Sequence, residues 1–481
     1  MAVETERLYV GGAWRDAAGT FDDVNPATGE VWRTVADGGA AAATEAVEAA
    51  RAAQPEWAAL PHDQRAKVLI DAMAAIGEMQ DTLVEALVDE GGSWIGKAMF
   101  ETGYVGGIAQ AAAAAAHMVT GELIPSDHGK VSMVVREPVG VVSVITPWNF
   151  PLLLSMRAVA FALAVGNAVV LKPSEETPIA GGVLVGRIFE AAGLPPGVLN
   201  VVTCSRDRVA EVGEVLLGHP AVGVVSFTGS SAVGREVAAL GGRNLKRVAL
   251  ELGGKDALIV LDDADLERAV GAATFGSFMH AGQICMATER ILVDAAVAEE
   301  FTERFVAKAA ELGVGDPHSH VIGPVINARQ ADKIRRHIDD AVAHGATVRT
   351  GGGNDGLFFQ PTVLDGVAPD MAVWAEETFG PVAPVLAVSG EEEAVKLAND
   401  SEYGLSAGII TADEERGLSV ARRLETGMAH VNDTSVYDEP NAPFGGVKGS
   451  GLGRHGGKAA IEAFTKTRWL TLERGGRLYP F

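Results

Sequence analysis

The stretch V-G-V-V-S-V-I-T-P-W-N-F-P, residues 139–151, gives the clearest indication of the fold of this chain. Its first part is an apolar run typical of a buried strand, and the proline and asparagine that follow end that strand. Further apolar runs recur downstream, separated by helix-forming segments. Because they do not alternate with polar residues, they predict parallel strands covered by helices on both faces, which is an α/β fold. The predicted strands are 168–171, 198–202 and 222–227, with helices at 177–192, 209–217 and 232–240.

A second α/β unit is predicted downstream of the first, over residues 257–431. Upstream of the first unit, residues 8–37 contain short strands with hairpin turns, and long helical segments follow. A length of 481 residues exceeds what one ordinary core organises, so two or three domains are expected. The predicted helices outside the first unit are 40–53, 64–89, 94–119, 264–281, 296–312, 328–344 and 391–399, and further strand candidates are 131–136, 289–293 and 466–472.

Composition excludes several classes of partner. The chain has 39 basic and 63 acidic residues, a net charge of −24, so nucleic acid and anionic membranes would repel it. No apolar stretch approaches the ~20 residues of a membrane span, and residues 1–7 do not resemble a secretory signal. Two cysteines are too few for a disulfide framework. We therefore expect a protein of the reducing cytoplasm, without a membrane partner.

One of the two cysteines, Cys285, stands in the stretch G-Q-I-C-M-A, residues 282–287. A predicted helix precedes it, a predicted strand follows, and small residues surround it, so a substrate could reach the thiol. Such a cysteine is a candidate nucleophile. The alternative is a buried small hydrophobe, which is the more common role of a free cysteine, and Cys204 is interpreted in that way.

Several motifs together resemble those of the aldehyde dehydrogenase superfamily, in the same order over nearly the whole chain. They are I-T-P-W-N-F-P at 145–151, L-K-P-S-E at 171–175, F-T-G-S at 227–230, L-E-L-G-G-K at 250–255 and E-E-T-F-G-P at 376–381, together with Cys285. The resemblance implies an aldehyde dehydrogenase fold with a Rossmann-like NAD-binding domain, an α/β catalytic domain and a small β oligomerisation ribbon. The implied ranges are 1–119 and 138–251 for NAD binding, with 448–465 returning to it, 252–447 for catalysis, and 120–137 with 466–481 for oligomerisation.

The resemblance also implies a mechanism for aldehyde oxidation to the acid. Cys285 would attack the aldehyde, while the Asn149 amide and the Cys285 backbone N–H bind the oxyanion. Hydride then leaves to the nicotinamide, and Glu251 activates the water that hydrolyses the thioester. Lys172 is counted among the catalytic candidates. Taken alone, Asn149 beside prolines could be a turn residue, and Glu251 a surface or capping carboxylate.

The cofactor site must differ from a conventional Rossmann phosphate loop, because no G-x-G-x-x-G follows a strand in the first unit. Gly229 and Ser230 instead follow a strand and open a helix, where free N–H groups favour a pyrophosphate. Ser230 could equally be a plain helix cap. By resemblance, Lys172 and Glu175 hold the adenosine ribose, and the carboxylate favours NAD while leaving NADP possible. The other cofactor candidates are Ile145, Trp148, Val233, Leu252, Glu377 and Phe379; no metal is expected.

Residues 432–446 follow the pattern N-D-x-x-V-x-D-E-P-x-x-P-F-G-G, which resembles the benzaldehyde and vanillin dehydrogenase branch of the family. An apolar pocket for an aromatic ring is therefore expected, although each of its residues could be ordinary core. Arg157 either binds a ring substituent or forms a structural ion pair. The candidate pocket residues are Phe150, Ile284, Met286, Tyr437 and Phe444.

Three rival functions remain. An aliphatic semialdehyde dehydrogenase of the same fold would need a cation for the substrate carboxylate, for which Arg157 is the candidate. A coenzyme-A-acylating enzyme would typically lack the base, which Glu251 argues against. A non-catalytic structural or binding member would not need Cys285 and Asn149. The resemblance also implies a homodimer or homotetramer, with the tail strand and the ribbon at 121–137 pairing between subunits.

Overall fold

The structure is a computed structural model that describes residues 5–126, 129–476 and 478–481. Parts of the predicted ranges 1–119, 120–137 and 466–481, and of the N-terminal segment 1–7, lie outside the described residues. The predicted α/β class is confirmed, since two large sheets carry helices on their faces. The α-helices are Ala40–Ala59, His62–Glu78, Gln80–Asp89, Ile95–Ala116, Pro151–Ala164, Leu184–Ala191, Val209–Gly218, Ser231–Arg243, Leu266–Phe278, Ala298–Ala310, Ala328–Ala343, Ala372–Ala375, Gly390–Asn399, Glu414–Ala421 and Gly457–Phe464.

The first sheet has eight strands, and its five central strands are parallel. Their valines and leucines are buried on both faces, which explains why the sequence shows continuous apolar runs there. Short antiparallel strands close both edges. In spatial order the strands are Gly451–Leu452, Arg247–Glu251, Val222–Thr228, Val141–Ile145, Ala168–Lys172, Leu199–Val201, Leu8–Val10 and Ala13–Arg15.

The second sheet has seven strands, six of them parallel, and contains its own buried core. Two small sheets complete the N-terminal and central parts of the described chain. The strands of the second sheet are Thr347–Thr350, Thr362–Asp365, Val382–Val388, Thr288–Asp294, Asp256–Val260, Ala407–Ile410 and His430–Val431. Those of the small sheets are Thr5–Glu6, Val31–Ala36 and Thr20–Val24, and Asn354–Asp355 with Phe358–Phe359.

Three predicted helices differ from the observed ones. The segment 64–89 forms two helices that break at Met79, and the segment 177–192 begins as a π-helix, Ile179–Val183, before the α-helix. The helix predicted to reach Ala281 ends at Phe278, because a 3₁₀ turn with left-handed residues follows. That early end places the residues before Cys285 in a tight loop.

A third sheet of three antiparallel strands joins the C-terminal tail to the ribbon in the middle of the chain. Its strands are Thr465–Leu472, Val131–Pro138 and Glu122–Ile124. The tail pairs with the ribbon of its own chain over eight residues. The expected pairing of the tail and the ribbon between subunits stays a prediction. Large apolar side chains, including Leu123 and Trp469, remain exposed on this sheet.

The two large sheets meet around the nucleophile loop. Parallel strands of the first sheet end at Ile145, Lys172, Thr228 and Glu251, at one common edge. The second sheet begins close by, because its strand Thr288–Asp294 starts three residues after Cys285. The site therefore lies at the carboxyl edge of a parallel sheet, as expected. Within the described ranges, no helix is long and apolar enough to cross a membrane.

Candidate active site

The loop that carries Cys285 has an unusual backbone. His280 and Ala281 adopt left-handed φ values of 51° and 54°, and Gly282 follows at 69°. The side chain of Gln283 secures the loop, because its Oε1 accepts the Ile326 N–H at 2.9 Å. The loop is therefore constrained by its own left-handed backbone conformation and by the hydrogen bond to Ile326.

Cys285 borders two cavities. The larger, of about 650 Å³, lies on one side of the thiol, and a narrower cleft of about 210 Å³ lies on the other. Asn149 also lines both spaces, and its side-chain Nδ2 donates to the Gln283 carbonyl at 3.0 Å. The structure thus brings the predicted nucleophile and the predicted oxyanion donor together at the junction of the cavities.

Glu251 lies behind this junction, at the end of its strand. The side chain is 4% exposed, and neither carboxylate oxygen has a hydrogen-bond partner among the described residues. Burial raises the pKa of Glu251 well above its ordinary value, while Arg157 and Arg454 act to lower it. Glu251 is not among the described residues that line either cavity. A buried carboxyl without partners can rotate without breaking a hydrogen bond.

The environment of the Cys285 thiol favours its protonated form. Burial raises its pKa above the ordinary value, and the carboxyl groups of Asp256, Glu251 and Glu377 raise it further. Arg157 lowers it by a smaller amount. The reactive thiolate therefore needs a base nearby to form near neutral pH.

The narrow cleft offers groups suited to a dinucleotide. Glu377 lines it and accepts the Gly254 N–H at 3.1 Å; burial, with Glu289 second, raises the Glu377 pKa to about 7. Phe379, with a left-handed φ of 57°, meets Trp148 edge to face at 5.4 Å between ring centroids. Gly229, Ser230 and Leu252 complete the predicted set that lines the cleft.

Two residues that the sequence did not single out hold this wall in place. Glu289 accepts the N–H groups of Thr378 and Phe379 at 2.6 and 2.7 Å, and its carboxylate pairs with buried Lys255 at 2.6 Å. No motif marks Glu289, because the two N–H groups that it accepts stand about ninety residues away in the chain. A carboxylate following Cys285 by four residues was the only local signal.

Beyond the cleft, the strand Ala168–Lys172 ends at Lys172, which pairs at 3.3 Å with Glu175 in the turn that follows. Arg206 approaches Glu175 at 2.7 Å, and Lys172 with Arg206 contributes to lowering the Glu175 pKa against the opposing effect of burial. Lys172 is not among the described residues lining either cavity, so its cofactor contact and its catalytic role both stay predictions. Ile145 lies at the end of the adjacent strand.

The helix Ser231–Arg243 begins at the carboxyl edge of the first sheet, just after the strand Val222–Thr228. Ser230 caps it, since its hydroxyl accepts the Val233 N–H at 3.4 Å, so the capping interpretation is correct. The cap leaves other N–H groups of the first turn facing the carboxyl edge of the sheet, where an anion is favoured. Val233 is 46% exposed on that turn. With Glu175 and Glu377 as hydroxyl acceptors on either side, the donor set fits NAD.

The larger cavity is mainly apolar, and all five predicted pocket residues line it. A polar patch in its wall includes Arg157, Asp438 and Tyr104. Arg157 is 4% exposed, is ion-paired with Asp438, and stacks over the Phe444 ring at 4.5 Å from the centroid. Arg157 faces the cavity and forms an ion pair, so the ion-pair interpretation is confirmed, while binding of a ring substituent stays a prediction. The five residues are Phe150, Ile284, Met286, Tyr437 and Phe444.

Comparison with known proteins identifies the family. The profile of the aldehyde dehydrogenase family matches residues 14–470. The chain belongs to the aldehyde dehydrogenase family. A vanillin dehydrogenase from Amycolatopsis sp. is 48% identical over 99% of this chain and 98% of its own. A benzaldehyde dehydrogenase [NAD(+)] from Pseudomonas putida is 43% identical over 97% of this chain and 96% of its own.

The fold is also very similar to that of a solved aldehyde dehydrogenase structure. The crystal structure of a salicylaldehyde dehydrogenase from Pseudomonas putida G7, complexed with salicylaldehyde, superposes with a TM-score of 0.97 at 39% identity. The superposition covers 99% of this chain and 100% of that one. The predicted family and fold are confirmed. This aldehyde dehydrogenase is an oxidoreductase that acts on aldehydes with a nicotinamide dinucleotide.

Proposed function

We propose that this aldehyde dehydrogenase oxidises an aromatic aldehyde of the benzaldehyde and vanillin type to its carboxylic acid, with NAD as the acceptor. The observation that carries the proposal is the 650 Å³ cavity, whose aromatic and aliphatic wall leads to Cys285. Such a wall suits a planar ring, and the polar patch at Arg157 and Asp438 suits a ring hydroxyl. Relatives whose names specify vanillin, benzaldehyde and salicylaldehyde support it.

Cys285 and Asn149 would carry out the first step. The sulfur bonds to the aldehyde carbon, and the carbonyl oxygen becomes an oxyanion that the Asn149 amide and the Cys285 N–H stabilise. The thiol proton passes to Glu251, directly or through water. Because burial raises the Glu251 pKa, its ionised form is a stronger base than an exposed carboxylate.

The second half of the reaction releases the acid. Glu377 and Phe379 would hold the nicotinamide in the narrow cleft. A bound NAD would supply the hydride acceptor that is needed to oxidise the adduct on Cys285 to a thioester. Glu251 then releases the thiol proton to solvent, turns toward the thioester and, as a carboxylate, removes a proton from the attacking water. The carbon–sulfur bond breaks, the acid leaves, and Cys285 is regenerated.

NAD is proposed over NADP because Glu175 occupies the ribose end of the site. Its carboxylate would accept hydrogen bonds from the ribose hydroxyls, whereas a 2′-phosphate would meet like charge. Lys172 and Arg206, which hold Glu175, leave some use of NADP open. The cofactor contacts proposed besides these are Ile145, Trp148, Gly229, Ser230, Val233, Leu252, Glu377 and Phe379.

The aliphatic semialdehyde alternative is less well supported. A substrate carboxylate needs an unpaired cation, and Arg157 is already paired with Asp438. Arg268, which the sequence analysis did not consider, lines the cavity from an exposed position near its rim. An exposed arginine would not hold a substrate carboxylate in a fixed orientation. Water and salt would also weaken the attraction between the two charges.

The assembly is also a proposal. We expect a homodimer or homotetramer, because the three-stranded sheet exposes Leu123, Trp469 and Leu472 at the surface of one chain. The domain division expected from the resemblance fits the two large sheets and stays a proposal. A reducing compartment suits the thiol chemistry of Cys285.

The proposed substrate is tested by NADH formation with benzaldehyde, vanillin and succinate semialdehyde, each at a range of concentrations. We expect efficient turnover of both aromatic aldehydes and a kcat/KM at least tenfold lower for the semialdehyde. The Cys285→Ala variant is the control and should form no NADH. Preferred turnover of the semialdehyde would contradict the aromatic assignment and keep the mechanism. Activity in the control would contradict the mechanism.

A further inference from the structure

A buried ion pair lies beside the active site, and its lysine, Lys97, is one of the residues that line the larger cavity. Lys97 and Glu101 stand one turn apart on the helix Ile95–Ala116, and both side chains are 0% exposed. Their charged atoms are 2.5 Å apart, and the Lys97 ammonium also donates to the Ser93 hydroxyl at 3.1 Å. A fully buried pair loses much of its hydration, so it requires an explanation beyond surface charge.

Each member of the pair has a second partner on the segment that carries the oxyanion donor. Lys97 Nζ donates to the Asn149 backbone carbonyl at 2.8 Å. Glu101 Oε1 accepts the Leu153 N–H at 2.9 Å, in the first turn of the helix Pro151–Ala164. The pair therefore clamps the backbone on both sides of Phe150, whose ring also packs under the ammonium at 4.2 Å.

Asn149 connects the clamp to the loop that carries Cys285. Asn149 is held at its carbonyl by Lys97, and its side-chain amide donates to the Gln283 carbonyl, two residues before Cys285. His280, in the same loop, meets the Phe150 ring edge to face at 5.8 Å. A shift of the Asn149 backbone would thus move the amide relative to the sulfur.

Stability alone does not account for the pair. Replacing a buried ion pair by neutral side chains of similar size is often neutral or stabilising, because the desolvation cost disappears with the charges. Geometry at a reacting centre is more demanding, since a displacement of about 1 Å can cost about a hundredfold in rate. The clamp is therefore better explained by where it holds Asn149.

We propose that Lys97 and Glu101 are positioning residues that set the Asn149 amide at the place where the oxyanion forms on the Cys285 adduct. The inference rests on the proposed role of Asn149. It assigns no contact with substrate to either residue. Their effect on the reaction passes through Asn149, so it should disappear when the Asn149 amide is absent.

The test is a double-mutant cycle in the full-length enzyme. The Lys97→Met/Glu101→Gln variant removes both charges, keeps the side-chain volumes, and leaves a Gln oxygen to accept the Leu153 N–H. We expect kcat to fall about tenfold or more, with the KM for NAD unchanged. In the Asn149→Ala background the same change should cost less than about threefold, because the two losses share one cause.

Two further variants complete the design. Lys67→Met/Asp71→Asn removes an exposed pair of the same i,i+4 spacing, 2.5 Å apart, and should leave kcat unchanged. If the buried double variant fails to fold, Glu101→Gln alone keeps the ammonium and the Leu153 acceptor; its smaller loss of kcat should likewise vanish in the Asn149→Ala background.

The outcomes separate the two levels of the proposal. The positioning role is overturned if the folded Lys97→Met/Glu101→Gln enzyme has a normal kcat. It is also overturned if this change lowers kcat by the same factor in the Asn149→Ala background as in the wild-type enzyme. Where Glu101→Gln alone is used, either of these results overturns the positioning role in the same way. A normal kcat for Asn149→Ala alone overturns the proposed oxyanion donor, and the positioning role with it.

Discussion

The two cavities that meet at Cys285 differ in size and in chemistry. The larger is walled by aromatic and aliphatic side chains, and its polar patch holds a cation already paired with Asp438. The narrower holds the Glu377 carboxylate and lies against a helix N-terminus. The first can select a substrate by shape, and the second can select a cofactor by hydrogen bonds and charge. Substitutions in one should therefore leave binding in the other unchanged.

Asn149 stands at the boundary and should give the largest effect. In Asn149→Ala we expect kcat to fall about a hundredfold or more, because one of the proposed oxyanion donors is lost. The KM values for aldehyde and NAD should change little. Steady-state kinetics with both substrates varied checks this. A loss confined to KM would mean that Asn149 binds the ground state only.

Phe444 tests the larger cavity alone. In Phe444→Leu the stacking on Arg157 and on a substrate ring is lost, so kcat/KM for benzaldehyde should fall about tenfold. The KM for NAD should stay constant. Initial rates over a series of benzaldehyde concentrations provide the measurement, with an aliphatic aldehyde as the comparison. An equal loss for the aliphatic aldehyde would contradict ring recognition.

Glu175 tests the cofactor side alone. In Glu175→Gln the like charge facing a 2′-phosphate disappears, while Lys172 and Arg206 remain nearby. We expect the ratio of kcat/KM for NADP to that for NAD to rise about tenfold, with the KM for benzaldehyde unchanged. Parallel assays with the two cofactors measure the ratio. An unchanged ratio would remove Glu175 from cofactor selection.

The smallest effect concerns pH. Because the Glu377 pKa is raised to about 7, its carboxyl group is largely protonated below that pH and ionised above it. The ionised form accepts hydrogen bonds better, so the KM for NAD should fall severalfold as the pH rises from about 6 to about 8. Glu377→Gln should abolish this dependence. A flat KM in the wild-type enzyme would contradict the assignment.

The sequence predicted those parts of the site that are local to a motif. Cys285, Asn149 and the five cavity residues could be identified because each stands in a recognisable stretch next to a predicted element. Apolar runs likewise predicted the parallel strands. The loop before Cys285 was misassigned to a helix, because the left-handed backbone of His280 and Ala281 is imposed by tertiary contacts and not by residue type.

The supporting contacts could not be predicted from the sequence. Lys97 reaches Asn149 across about fifty residues of chain, and Glu289 holds Thr378 and Phe379 across about ninety. Such pairs leave no periodic or spacing signal, because only the packed fold brings the partners together. The pairing of the tail with the ribbon of its own chain was missed for a related reason. The two strands are far apart in the sequence, and only the folded topology makes them neighbours.

The proposed function depends above all on one step, in which an aromatic aldehyde from the larger cavity becomes an acyl group on Cys285. Mass spectrometry of the Glu251→Gln variant, incubated for a long time with benzaldehyde and NAD, can detect that acyl group. Hydrolysis of the thioester should be slow without the carboxylate, while the Cys285 thiol can still lose its proton slowly to water. We expect one benzoyl group per chain, mapped to Cys285 and formed only when NAD is present. NADH formation without this adduct, or an adduct on another residue, would contradict the proposed mechanism.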